Sequence, residues 1–102
     1  MAVLMTQTMP EGVTIEFLDA VTKEMDVTNN PPAGLVVHVH FERNGQTEIV
    51  DVWESAQAFE TFSAERLMPA MHKVAGERGL PTPPPDSSGP DVIEVAAIVR
   101  GR

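Results

Sequence analysis

Two histidines, His38 and His40, sit in the run Leu35 to Glu42 with Val37, Val39 and Phe41 alternating around them. In an extended strand successive side chains point to opposite faces, so both imidazoles project to the same side. In the run Thr47 to Trp53, Ile49, Asp51 and Trp53 share one side and Val50 and Val52 the other. If the two runs pair in regular register, the polar sets meet. A carboxylate that accepts an imidazole proton fixes the tautomer and raises the basicity of the ring, so His38, His40 and Asp51 are candidates for a general base. Trp53 can then wall or stack against a planar ligand. The other use of the same side chains is to pair with one another inside a packed interior. Two histidines and a carboxylate are also the donor set of a non-haem iron site, but the spacing places no second carboxylate nearby, and no metal is expected.

These residues need a scaffold. Val3 to Met9 alternates with a period of two, putting Val3, Met5, Gln7 and Met9 on one side, and is read as the first strand. Pro10 and Gly12 stop it. From Val13 the spacing changes: Phe17, Val21 and Met25 recur every four residues with Leu18 beside them, while Glu16, Asp19, Lys23 and Glu24 fall elsewhere, as in an amphipathic helix. Thr28 to Gly34 carries two prolines and a glycine and reads as a loop. Leu35 to Glu42 and Thr47 to Trp53 flank Arg43-Asn44-Gly45-Gln46, and Asn-Gly between β-branched runs signals a hairpin. Ser55 is placed to cap a second helix with Phe59, Phe62 and Leu67 on its apolar side. Pro69 is expected to kink or break it, followed by a short helical turn through Met71 and Val74 that ends near Gly76 or Gly79. Residues 80–91 read as an extended, proline-rich connector, with Pro83-Pro84-Pro85 a stiff strap across a partner subunit. Val92 to Arg100 is the last strand.

The order β-α-β-β-α-β is the split βαβ pattern of an α+β, ferredoxin-like fold: one domain over residues 1–102, a four-stranded antiparallel sheet, and two helices on one face. The second face of such a sheet is left bare, and pairing with another copy of the chain is the economical cover. Five of the six methionines, Met5, Met9, Met25, Met68 and Met71, can line an adaptable apolar cavity or simply fill the core.

Length and charge bound the rest. At 102 residues there is room for one core, and the apolar and charged fractions of 42% and 22% are those of a folding chain. Seven basic against fifteen acidic residues give a net charge of −8, which disfavours nucleic acid and anionic membranes as partners. The absence of cysteine excludes disulfides, thiolate chemistry and cysteine-held zinc or iron–sulfur centres. No stretch approaches the ~20 apolar residues of a membrane span, and the start of the chain lacks the pattern of a secretory signal, so a cytoplasmic location is expected. No glycine-rich phosphate loop, nucleophile elbow or basic aromatic patch is present.

Ile49-Val50-Asp51-Val52-Trp53-Glu54-Ser55, followed by Ala58-Phe59 and Glu65-Arg66-Leu67-Met68-Pro69-Ala70, resembles the dimeric α/β-barrel superfamily, and is similar to small antibiotic-biosynthesis-monooxygenase-like proteins of unknown function. The resemblance covers nearly the whole chain in element order. It implies a homodimer formed through the sheet faces, with a sheltered pocket between sheet and helices in each subunit. It also implies a monooxygenase-like activity on a planar or hydrophobic organic molecule, without a cofactor. His38 or His40 would withdraw a proton, Asp51 would orient the base, and Trp53, Phe62, Met5 and Gln7 would bind substrate. Two other functions share this fold. One is a non-catalytic ligand-binding or scaffold protein. The other is a haem-binding or haem-degrading protein, in which a helix histidine ligates iron. His72 lies near that place, with Phe62 one helical stretch earlier and Arg66, Lys73 and Arg78 available to propionates. This chain departs from the haem pattern in having Phe62 where those enzymes carry Trp, and Met5, Thr6 or Gln7 where they carry Asn. His72 near a helix C-terminus is equally well placed as a solvated side chain facing the helix dipole.

Overall fold

The computed structural model describes residues 1–10, 12–79 and 90–101. Its elements are β1 (Val3–Thr8), α1 (Ile15–Met25), β2 (Leu35–Arg43), β3 (Gln46–Trp53), α2 (Ala56–Phe62), a π-helical turn (Ser63–Leu67), α3 (Met68–Glu77) and β4 (Asp91–Glu94). The four strands form one antiparallel sheet in the order β2-β3-β1-β4, the ferredoxin-like arrangement expected from the element order. The proline run and most of the expected connector lie outside the described residues.

Local chemistry sets the element ends. The Thr14 hydroxyl accepts from the Phe17 N–H at 3.1 Å and Ser55 from the Ala58 N–H at 3.1 Å, so α1 and α2 each start on a side-chain cap. The β2–β3 turn has Asn44 at φ 55° and Gly45 at φ 79°, the paired left-handed residues that a tight hairpin with right-handed strand twist requires.

Two expectations are corrected. Pro69 does not end the helical run: the chain widens into the π turn immediately before it, with the Met68 N–H bonded to the Ser63 carbonyl. Pro69 then falls in the first turn of α3, where its missing N–H costs nothing, and α3 runs on for ten residues. The last strand does not reach Arg100. Val3 pairs with Glu94 and the Val95 N–H bonds the Ala2 carbonyl, after which the ladder with β1 stops, and β4 is only Asp91–Glu94.

β2 contains one irregularity with large consequences. Leu35 pairs with Trp53 but Val37 pairs with Val52, so Val36 is an extra residue, a β-bulge. Leu35 and His38 are three apart and would face opposite sides of a regular strand. The bulge resets the alternation, and Leu35, His38 and His40 all face the helices.

The core forms two clusters. Met9, Phe17, Leu18, Val21, Ala70, Met71, Val74 and Ala75 pack between α1 and α3. Val3, Met5, Trp53 and Phe62 pack under α2, and Met25, Ile49 and Leu67 touch both groups. Cations tie the helical layer together: Arg66 donates to the carbonyls of Met25 at 2.7 Å and Asn30 at 2.9 Å, Lys73 to Glu24 and Arg78 to Glu16. The hydrogen bond and charge of Glu24 hold the Lys73 ammonium above its ordinary pKa. This exposed attraction is present at and below the usual lysine range and is lost only as pH rises through the raised value.

Gly34, at φ 85°, brings the start of β2 against α2, and a Cβ there would lie 2.6 Å from the Ala58 Cβ. Gly34→Ala is expected to lower stability by about 2 kcal/mol or more, combining left-handed strain with overpacking. In urea denaturation, Gly34→Ala combined with Ala58→Gly should recover the packing share and leave the backbone share.

Candidate functional site

Between the sheet and the helices lies a cavity of about 230 Å³, at the junction of the two core clusters. Its walls are mostly apolar, with Met5, Met9, Met25, Met68 and Met71 among the lining residues. It is smaller than the 300–1,000 Å³ usual for ligand pockets, a size for a compact molecule. Trp53, Phe62, Met5 and Gln7, the expected binding residues, all line it, as do His38, His40 and Asp51.

Strand pairing assembles the polar wall. His38 stands opposite Asp51, which stands opposite Met5, while His40, Ile49 and Gln7 form the next row. The register puts the two polar sets face to face. His38 Nδ1 lies 2.6 Å from Asp51 Oδ1, and the buried Trp53 Nε1 donates to Asp51 Oδ2 at 3.1 Å. Both carboxylate oxygens are thus engaged, which lets a charge remain under the sheet. The rings of His38 and His40 meet edge to face with centroids 5.1 Å apart, and His38 Nε2 is 2.9 Å from His40 Nδ1. His40 Nε2 reaches Asp19 Oδ1 on α1 at 2.8 Å. One line of close polar contacts therefore runs Trp53–Asp51–His38–His40–Asp19, from a fully buried indole to a carboxylate whose side chain is 64% exposed.

Asp19 is the member that sequence reasoning missed. It falls on the polar side of α1 and is 21 residues from His40, so no local spacing marks it. Among the described residues no group of three acidic, histidine or cysteine side chains is arranged to hold a metal ion.

The residues proposed for haem are not brought together. His72 is exposed on α3 and does not line the cavity, although its neighbour Met71 does. Arg66, Lys73 and Arg78 are spent on the carbonyls and carboxylates of the α1 region. The cavity is small for a porphyrin, which spans four linked pyrroles and two propionates. The residues present do not fit haem in this arrangement.

No family model and no curated protein matches the sequence. Solved structures do match the fold. Rv0793 from Mycobacterium tuberculosis superposes with a TM-score of 0.52 at 16% identity, covering 99% of this chain and 98% of the other. A Bacteroides thetaiotaomicron protein provisionally named an antibiotic biosynthesis monooxygenase gives 0.53 at 14% identity, over 100% and 92%. An MhuD variant with two manganese protoporphyrin IX molecules per active site gives 0.54 at 22% identity, over 99% and 100%.

Proposed function

We propose that this chain, which has the ferredoxin-like fold of antibiotic-biosynthesis-monooxygenase-like proteins, is a small monooxygenase-like enzyme that takes a proton from a compact planar or hydrophobic organic molecule held in the cavity. The observation that carries this reading is a pair of imidazoles, oriented by a buried carboxylate, on the wall of a mostly apolar cavity. The base removes a proton from an acidic C–H or a phenol, and the apolar walls withhold water from the electron-rich anion. O₂ then reacts with that anion. With no cofactor the substrate itself supplies the electrons: a CH₂ carbon becomes a carbonyl, and O₂ delivers one oxygen atom to it and the other to water. The reading keeps the cytoplasmic location expected from the sequence; among the described residues no helix is long and apolar enough to cross a membrane.

Oxygen uptake by metal-free protein with compact phenols and 1,3-dicarbonyl compounds tests the proposal, with quenching of Trp53, the sole tryptophan, reporting binding. Uptake with at least one bound compound is expected. Binding without uptake across the series would replace the enzyme by a non-catalytic ligand-binding protein. Haem is the second reading, favoured by the porphyrin-bound MhuD neighbour and opposed by the placement of His72.

The outer sheet face supports a homodimer. Val37, Val52, Leu4 and Ile93 form one apolar row across all four strands, and Val37, Val39 and Ile93 are 46%, 46% and 53% exposed. A second copy laid face to face would cover them. Sedimentation at micromolar concentration should give twice the 11.1 kDa chain mass. A monomer there would reject this assembly.

A further inference from the structure

All four ring nitrogens of His38 and His40 are engaged, which constrains where protons sit. Ionised Asp51 and Asp19 only accept, so His38 Nδ1 and His40 Nε2 must both be N–H donors. In the neutral rings this leaves two lone pairs, on His38 Nε2 and His40 Nδ1, facing each other at 2.9 Å. That contact is a hydrogen bond only if one further proton lies in it. The two rings therefore hold three protons when joined. With two they repel, and a lone pair is freed on the cavity wall that both rings line.

We propose that His38 and His40 act as a single base that takes one proton into the Nε2–Nδ1 bridge, and that Asp19 is the positioning residue that keeps this bridge empty until then. This rests on the reading of the cavity as a proton-abstracting site. The substrate C–H or O–H bond breaks, its electron pair stays on the substrate, and the proton goes to His38 Nε2 and closes onto His40 Nδ1. The pair gains one positive charge beside the new anion. Asp19 acts by holding His40 as its Nε2–H tautomer, because the other tautomer would fill the bridge with His40's own proton. From β3 the pair faces Asp51 and from α1 Asp19. Among the described residues, the cavity-lining side chains of β1 and of the helical layer from α2 to α3 are uncharged.

The test is ¹⁵N NMR of the histidine rings in ligand-free protein, with His72, the third histidine, as internal reference. Across a pH titration His38 and His40 should respond together and take up one proton per pair, while His72 takes up its own. In Asp19→Asn the side-chain amide can donate to His40 Nε2, so the neutral ring should switch to the Nδ1–H tautomer. Asp19→Glu should restore Nε2–H. Independent uptake of a proton by each ring, or an unchanged His40 tautomer in Asp19→Asn, overturns the proposal. These outcomes need no substrate, so failure to find oxygen uptake would remove the proposed enzyme and leave the proton count standing. With a substrate in hand, kcat should fall on the order of 10²–10⁴-fold in Asp19→Asn, with KM little changed.

Discussion

Trp53→Ala is expected to lower the free energy of unfolding by about 3–5 kcal/mol. The indole is 0% exposed and packs against Phe59, with centroids 5.7 Å apart at 62°, and against Phe62 at 5.1 Å. Truncation would enlarge a cavity already beside it and strip those aromatic contacts. It would also leave Asp51 Oδ2 without the donor that satisfies it. Trp53→Phe separates the two contributions, since it keeps a ring but loses the N–H, and should cost about 1–3 kcal/mol. Because the variants lack the sole tryptophan, urea denaturation has to be followed by far-UV circular dichroism. A loss under 1 kcal/mol for the alanine variant would mean that Trp53 does not anchor the layer under α2. Against a typical total of about 5–15 kcal/mol, the expected loss brings the fold close to its limit.

His38→Ala is expected to cut turnover of the cavity's substrate by about 10²–10⁴-fold, the usual share of a positioned general base. His38 lies between Asp51 and His40, so its removal breaks the line of polar contacts at its centre. Substrate affinity should change far less, because the walls that bind are methionine and aromatic side chains that the substitution leaves in place. Steady-state kinetics with parallel ligand titration separates the two effects. An equal loss on His72→Ala, together with a haem absorbance change that survives His38→Ala, would move the function to haem. Turnover unaffected by His38→Ala would remove the proton-abstraction reading.

The scaffold was legible where short-range chemistry decides it. Asn44-Gly45 specified the hairpin because few other residues accept two successive left-handed conformations. Alternation in β1 grouped Val3, Met5, Gln7 and Met9, and the four-residue recurrence in α1 grouped Phe17, Val21 and Met25 with Leu18; all are buried except Gln7 and Met25, which are half-buried. Where an element depends on its neighbour, the reading overshot. Val92 to Arg100 has strand character throughout, but a strand persists only where another pairs with it, and the ladder with β1 stops at Val3 and Glu94. Pro69 lacks a donor wherever it stands, yet the π turn before it removes the need for one.

The candidate site divides along the same line. Residue order alone puts His38 and His40 on one face, Asp51 and Trp53 on one face, and a tight turn between the two strands, because side-chain alternation and turn conformation are local properties. Which way those faces point was decided only in three dimensions. Leu35 and His38 have opposite parity, so both can face the helices only because Val36 bulges out of its pairing with β3. The link from His40 to Asp19 likewise exists only because α1 packs across β2, a contact between residues far apart in the chain that no periodicity encodes.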